Sequence, residues 1–546
     1  MLVSLNVENS SYKKQSNPNL KQSSETFKGI GNLITQGLIA SDKSPMVGVS
    51  IIDLTSMITP RTIIDATRNG FAATETFLRE SAGLIINCLI PGVVVLGAGK
   101  LVQRLVMGKD FAGLQSHKIW ANQATNEALT SAWLGTKGGN TERISSFVDS
   151  LNQIEVLSGK NNWVPISGLK DNKALLQGIK DAIGKNDKKL VEQATDKLIE
   201  QLGGSRNIKF ADGVLPHSAL SGIKKLDISS SNIKNLTRDM NDMANTFIKM
   251  NDNQIAAFSK KLTKLINTKS FLGLAAIAAL GASFQAFNRY ITKMRTGSSG
   301  FVGEIDYPKK PSFGETHQHK LTHEERKKLN FHKMLSVMGL AALALASFGK
   351  RPSVGMFQFN GILPTLNQCR AITLFTFGGR LVSSESENEL KETRLRDFLG
   401  FINLYYLGDY VAKAAATWKE RNPAFKGKLL NETKKFDPNS SFIDKFWHWF
   451  KHTELKGFEE VANNPALKKA RAFSQASGLI YSCIVLGLLI PMYNKYKTYK
   501  NGREKQMLRA QKLQEQENNN QSPGLSTQKK EIYQAFFRAN QHQRQS

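Results

Sequence analysis

The chain has 546 residues, with 74 Lys and Arg against 45 Asp and Glu, a formal net charge of +29 and 40% hydrophobic residues. This length leaves room for several domains. The basic residues thicken beside apolar runs, and no zinc-finger, KH or RNP-type motif accompanies them. A net charge of this size would suit a nucleic-acid binder, but its distribution and the missing motifs argue against one and favour a lipid bilayer with anionic headgroups.

The N-terminal region gives no sign of export by a cleavable signal. Residues 1–31 lack the apolar core of a signal peptide, so any insertion signal is expected to be internal. We interpret residues 1–80 as an N-terminal segment that is partly disordered and then helical. Cys88, Cys369 and Cys483 are odd in number and far apart, so they predict neither a disulfide framework nor a metal knuckle.

Four uncharged apolar runs determine the predicted fold class. They are residues 81–99, 270–288, 334–349 and 472–494. A helix of about 20 such residues crosses a hydrocarbon core about 30 Å thick, and the third run is short but usable. Pro91 and Gly92 interrupt the first run, which predicts a kinked or re-entrant segment. We predict an all-α, multi-span helical membrane protein with helical extramembrane segments and a disordered basic C-terminal tail; buried helices of a soluble protein are the alternative.

Loop charges orient these spans. The connection 289–333 is basic, and the polar tail 495–546 opens with several lysines, so both are expected in the cytoplasm. Four spans then place the N-terminus on the same side, and residues 100–269 and 350–471 on the other. The predicted location is a cell membrane, as a multi-pass protein with a cytoplasmic tail.

Residues 100–269 are expected to form a helical extramembrane domain. Apolar residues alternate steps of three and four along residues 233–265, as in a coiled-coil-like hairpin: Ile233, Leu236, Met240, Met243, Phe247 and Met250, then, after a polar break, Ile255, Phe258, Leu262 and Leu265. These helices either pack against each other within the chain or form the seam of a homo-oligomer. The sequence GLAA occurs in both middle spans, and its small residues predict a tight hairpin between them.

Residues 350–471 form a mixed region. Its stretch 362–415 is apolar but contains Arg370, Asp397 and Asp409. Ionisable groups within a membrane usually mark a transport path, so these three become candidates if the stretch enters the bilayer. If it packs at the membrane surface, the transport hypothesis loses its residues.

Residues 441–452 predict an amphipathic helix capped by Ser441. Its aromatic face opposes lysines and histidines, and we assign the aromatic residues to the membrane interface: Phe442, Phe446, Trp447, Trp449 and Phe450. The alternatives are packing on the protein's own core, and a metal site at His448 and His452.

Histidines supply the other metal candidates. His317, His319 and His323 lie close together in sequence, but Thr322 and Glu325 form a capping box that starts a helix at His323. We found no GxSxG, P-loop or paired CxxC motif, and assign no catalytic residue and no cofactor. The leading hypothesis is an integral membrane protein of structural or interaction role. A transporter or channel subunit using charges within 370–409 is the first alternative, and a membrane-bound metal-dependent enzyme is the second.

Overall fold

The computed structural model describes residues 36–39, 41, 45–111, 114–157, 163–168, 172–201, 208–210, 230–296, 322–348, 354–432, 441–458, 460–461 and 464–501. Helices dominate these residues, which confirms the all-α class. The tail beyond residue 501 and much of the 289–333 connection lie outside the described residues.

Three helices open the chain. They are α1, which runs through Pro45–Ile52, a π-helical segment Asp53–Ile58 and Thr59–Ala66; α2, Gly70–Leu84 followed by a π-helical segment Ile85–Leu89; and α3, Pro91–Met107. The α2 and α3 axes differ by 56°. Proline lacks the N–H that would continue the helical hydrogen bonds, which explains a break at Pro91. The interrupted span expected at residues 81–99 is therefore a bend between two longer helices.

The helical domain between α3 and α9 follows. Its elements are α4 (Gln123–Gly135), α5 (Asn140–Asp149), β1 (Ile154–Leu157), β2 (Trp163–Pro165), α6 (Asn172–Gly184), α7 (Lys188–Gln201), β3 (Ile208–Phe210) and α8 (Ser230–Phe247). The strands form an antiparallel sheet in the order β2-β1-β3, which the purely helical prediction for residues 100–269 missed. The rings of Trp133, Phe147 and Phe247 meet edge to face in its core.

Helix α9 (Asp252–Thr296) joins this domain to the rest of the chain. Ile255, Phe258 and Leu262 belong to the domain core, and Ile277 belongs to a second core between the spans. The predicted seam faces the chain's own interior: all of its residues except Leu236 and Met250, which are partly buried, are at most 1% exposed. The heptad pattern therefore serves packing within the chain.

The remaining elements complete the bundle and add a two-stranded sheet. They are α10 (His323–Ser347), α11 (Val354–Phe357), α12 (Leu366–Val382), α13 (Glu387–Ile402, then a π-helical segment Asn403–Leu407), α14 (Gly408–Lys419), β4 (Leu430–Glu432), α15 (Phe442–His452), β5 (Thr453–Leu455) and α16 (Pro465–Ser482, then a π-helical segment Cys483–Leu489). Strands β4 and β5 pair antiparallel. The α16 helix continues to Asn501.

Four helices among the described residues are long and apolar enough to cross a membrane: α1, α9, α10 and α16. The bent pair α2–α3 is a fifth if it forms one span. Helix α1 corrects the sequence analysis, which placed no span within residues 1–80. Asp53 and Arg61 interrupt its apolar sequence, but both side chains are buried inside the bundle.

Helix α12 lies between α9 and α10, so the tight hairpin predicted for these two spans is wrong. Glycines allow the close approach of α12 to α9. A Cβ atom added at Gly379 would lie 2.4 Å from the Ala282 carbonyl oxygen, and one at Gly281 would lie 2.6 Å from Thr376 Oγ1. Small residues let helices pack closely in membranes, but here they serve a third helix.

Polar contacts near the two ends of α1 show its direction relative to α16. Gln475, near the start of α16, donates to the Leu38 carbonyl just before α1 (3.2 Å). At the other end, Arg68 pairs with Glu392, which accepts a hydrogen bond from Thr498. The two helices therefore run in the same direction. The start of α1 and the end of α16 therefore lie at opposite ends of the bundle. Residues 1–35 and the tail beyond residue 501 lie outside the described residues, so the predicted placement of the N-terminus and the tail on one side stays a prediction.

The outer surface of the bundle is apolar. Exposed large side chains cover the lipid-length helices: Ile63, Leu101, Leu105, Phe271, Met294, Phe331, Met338, Ile480 and Leu489. Tyr290, Tyr493, Tyr496 and Tyr499 are also exposed, towards the ends of α9 and α16. An apolar band with tyrosines at its edge is typical of a surface covered by a bilayer.

Candidate functional site

A network of buried charges lies between the helices, centred on Glu80 of α2. Its carboxylate lies 3.4 Å from Arg61 of α1, 3.2 Å from Arg79 and 3.4 Å from Arg380 of α12. All four side chains are almost fully buried. Glu80 therefore holds three guanidinium groups in a region from which water is largely excluded.

The network extends to two further helices. Arg380 also pairs with Asp397 of α13 (3.5 Å), which in turn pairs with Arg396 (3.0 Å). Arg61 Nε donates to the Leu486 carbonyl oxygen of α16 (3.1 Å). Charges and hydrogen bonds thus connect α1, α2, α12, α13 and α16.

The ionic groups are not fully satisfied by hydrogen bonds. Arg61 Nη2 and Asp397 Oδ2 make none within the described part of the chain, although the two residues are only 2% and 1% exposed. Glu75, 3.9 Å from Arg79, and the buried Asp53 bring further carboxyl groups close. Burying an unpaired charge is strongly unfavourable, so the partners from other helices are essential to this arrangement.

A small cavity lined by both polar and apolar side chains borders the network. It has a volume of about 10 Å³, which is near the lower limit for one water molecule. Asp53, Glu80 and Arg380 line its charged side. The rest of its wall combines apolar side chains, among them Leu84 and Phe377, with neutral polar groups and thiols: Asn87, Cys88, Cys369, Thr373 and Tyr405.

Hydrogen bonds order the neutral side of the cavity. The Tyr405 hydroxyl lies 2.8 Å from Thr373 Oγ1 and 3.2 Å from Cys369 Sγ. Thr376 donates to Asn87 Oδ1 (2.8 Å). A water molecule or a proton in the cavity would therefore find both ionised and neutral hydrogen-bonding partners.

The structure does not bring the three predicted transport residues together. Asp397 belongs to the charge network. Arg370 donates to Asn367 Oδ1 (3.0 Å) and packs on the Tyr406 ring. Asp409 is half exposed and pairs with Lys413 (3.0 Å).

The sequence analysis missed most of the network. Asp53, Arg61, Arg79, Glu80, Arg380 and Arg396 were not among its candidates. The search for uncharged runs set the first span to begin at residue 81, immediately after the Arg79-Glu80 pair. Isolated charges at the edges of apolar runs were the available signal.

The metal candidates gain no support from the described residues. His317 and His319 lie outside them, and His323 is exposed at the start of α10, behind the predicted capping box of Thr322 and Glu325. Among the residues that the structure describes, no group of three or more His, Cys, Asp or Glu side chains could hold a metal ion.

Helix α15 packs on the protein with some of its aromatic residues and exposes others, so it combines the predicted core packing with an outward aromatic face. Ser441 caps it, as expected. Trp449 Nε1 donates to Thr417 of α14 (3.1 Å), and Phe450 stacks on Tyr410 with ring centroids 3.7 Å apart. Phe446 and Trp447, in contrast, are about half exposed. The helix is thus anchored on the protein by some aromatic residues and presents others outward.

We expect Trp447 to contact lipid. In vesicles containing brominated lipids, tryptophan fluorescence of the wild type should be quenched, and Trp447→Phe should lose part of that quenchable signal, because the exposed indole lies in the interface. Trp133→Phe is the control, since Trp133 is fully buried in the core of the domain between α3 and α9. Equal quenchable fractions in the wild type and Trp447→Phe would contradict interfacial placement.

No protein-family model matches the chain, and no curated protein or solved structure is significantly similar to it. Functional inference therefore rests on the geometry of the chain itself.

Proposed function

We propose that the protein is an integral membrane protein with a structural or interaction role: its bundle holds the helical domain in a fixed position at the membrane. The observation that carries this proposal is the continuity of α9, whose 45 residues enter the core of the domain and the core of the bundle without a break. A continuous helix between the domain and the bundle favours a role in which the domain is held in place over one in which it moves independently of the bundle.

A buried lysine supports the same proposal at the joint. Lys269 Nζ donates to the His117 carbonyl oxygen (2.9 Å) and lies 4.9 Å from the centre of the Trp120 ring. The Trp120 backbone N–H donates to Asp239 Oδ2 of α8 (2.7 Å). These contacts fix the segment after α3 against α8 and α9, where the domain meets the bundle.

We further propose a cell membrane as the location, with the end of α16 on the cytoplasmic side. Lys495, Lys497 and Lys500 follow the apolar part of this helix, and Lys327 and Lys328 lie in the first turns of α10. Cations at this end suit anionic headgroups and the cytoplasmic excess of positive charge.

Proton or ion transfer is a second candidate function. It is favoured by the cavity, where Asp53 and Glu80 meet Arg380, and by the atoms of Arg61 and Asp397 that lack hydrogen-bond partners among described residues. Ionisable groups inside a bundle are typical of transport paths. The metal-dependent alternative would depend on His317 and His319, for which no geometry is described.

We expect the protein to stay in the membrane pellet after an alkaline carbonate wash and to require detergent for release, because several of its helices expose apolar surface over a membrane's thickness. Recovery in the soluble fraction would contradict membrane integration.

A second measurement separates the two candidate functions. Purified protein in vesicles that enclose a pH-sensitive dye should dissipate an imposed pH gradient no faster than empty vesicles if the role is structural. Faster dissipation that is lost in Glu80→Gln but kept in Asp409→Asn would favour proton transfer instead.

A further inference from the structure

Helices α14 and α16 share an exposed pair of aromatic rings near the start of α16. The rings of Trp418 and Phe473 have centroids 6.3 Å apart, and both side chains are about half exposed. The Lys419 ammonium lies 4.8 Å from the centre of the Trp418 ring and 4.5 Å from the centre of the Phe473 ring. The two rings attract this cation and hold it in one place.

The held cation can still bind an anion. Its side chain forms no ion pair or hydrogen bond with any residue that the structure describes. The neighbouring carboxylate, Glu420, is engaged elsewhere, because its Oε1 accepts hydrogen bonds from the backbone N–H groups of Leu429 (2.7 Å) and Leu430 (2.9 Å). A lysine ammonium carries three N–H donors, so Lys419 is positioned in advance for an oxyanion.

A second lysine adds positive charge beside the rings. Lys469 is exposed and lies four residues before Phe473, on the same face of α16. It forms no ion pair within the described part of the chain. Lysine is a common phosphate ligand in proteins. Two lysines beside one aromatic ring therefore suit a phosphate group.

The apolar surface that follows the lysines favours a lipid over a free anion. The uncharged run of α16 begins at residue 472, and α16 is long and apolar enough to cross a membrane. Ile480 lies two turns beyond Phe473 on the same face and is 57% exposed. A phosphate at the lysines would thus place acyl chains along Phe473 and Ile480.

Helix α15 exposes further aromatic residues at the same level of α14. Its Trp449 donates to Thr417, the residue before Trp418, while Phe446 and Trp447 are about half exposed. Exposed tryptophans at one level are typical of the boundary between hydrocarbon and headgroups. The lysines therefore lie where lipid phosphates are expected.

We propose that Lys419 and Lys469 bind the phosphate of an anionic phospholipid, with Trp418 and Phe473 beside its glycerol backbone. The proposal rests on the membrane integration proposed above and adds a specific lipid site near the start of α16. Phosphatidylcholine carries its own cation beside the phosphate, so two lysines should prefer a headgroup with net negative charge, such as phosphatidylglycerol.

The test measures binding of phosphatidylglycerol to the full chain in a neutral detergent, by native mass spectrometry over a range of lipid concentrations. Lys419→Gln and Lys469→Gln should each weaken binding about fivefold, the usual contribution of one lysine near an anionic surface. Lys426→Gln is the matched control, because it removes the same charge from an exposed lysine that contacts no aromatic ring among the described residues. It should leave the affinity unchanged.

Trp418→Leu tests the aromatic contact, since it keeps an apolar side chain and removes the indole ring. Binding should weaken about twofold to fivefold, the effect of one exposed cation–π contact. An unchanged affinity would overturn the role of the ring in positioning Lys419.

Three results would overturn the site itself. They are equal affinities of the wild type and both lysine variants, equal affinities of the wild type for phosphatidylglycerol and phosphatidylcholine, and displacement of the lipid by an equal concentration of inorganic phosphate. Lys469→Gln changes an exposed side chain, so it keeps the test decisive even if Lys419→Gln folds poorly. Release of the protein by a carbonate wash would instead contradict the proposed function, and the two failures are therefore distinguishable.

Discussion

Replacing Glu80 by glutamine is expected to destabilise the folded bundle by about 3–5 kcal/mol, the usual effect of removing one partner of a buried ion pair. Three arginines would then surround a neutral amide in place of a carboxylate. The measurement is the unfolding midpoint in mild detergent as denaturant is added.

Asp409→Asn is the matched control. It also neutralises one carboxylate of an ion pair, but Asp409 is half exposed, and such pairs contribute about 0–1 kcal/mol. Equal shifts for the two variants would contradict the interpretation that Glu80 holds the bundle together.

Two adjacent glycines should respond to the same substitution with opposite signs. Gly379→Ala places a methyl group 2.4 Å from the Ala282 carbonyl oxygen and 2.6 Å from its Cα, so α12 and α9 must separate. Overpacking of this kind destabilises by about 1–3 kcal/mol, occasionally more. Gly378→Ala meets nothing within 4 Å and should gain up to about 1 kcal/mol of helix propensity.

Thermal unfolding of the two variants in detergent measures the difference directly. A destabilised Gly379→Ala beside a stabilised Gly378→Ala is the expected pattern. Similar shifts in the same direction would show that α12 and α9 do not approach as closely as the structure indicates.

Local features of the fold were predictable from the sequence. Apolar length predicted α9, α10 and α16 as membrane-length helices, Pro91 predicted the interruption after α2, and the residues at Thr322 and Glu325 predicted the start of α10. Each of these signals depends on residues within one or two helical turns. Tertiary contacts did not change these local features.

Features that depend on distant partners were not predictable. In the sequence Arg61 looks like the end of an apolar run, because its partner Glu80 is known only from the structure. Cys88 and Cys369 are far apart in sequence, and only the packing of α12 beside α2 brings both to one cavity. Strand β1 has four residues, too few to show an alternating pattern, and pairs with β3 across intervening helices. In each case the partner is set by packing of the whole chain.

The unbroken length of α9 has a mechanical consequence. At 1.5 Å per residue its 45 residues form a rod about 68 Å long, held by the bundle at one end and by the domain at the other. Transmembrane helices adjust their tilt to the thickness of the surrounding hydrocarbon. A rotation of about 5° about the membrane end would carry the opposite end sideways by about 6 Å. In the membrane orientation proposed above, a change in bilayer thickness that tilts this helix would displace the domain at its far end.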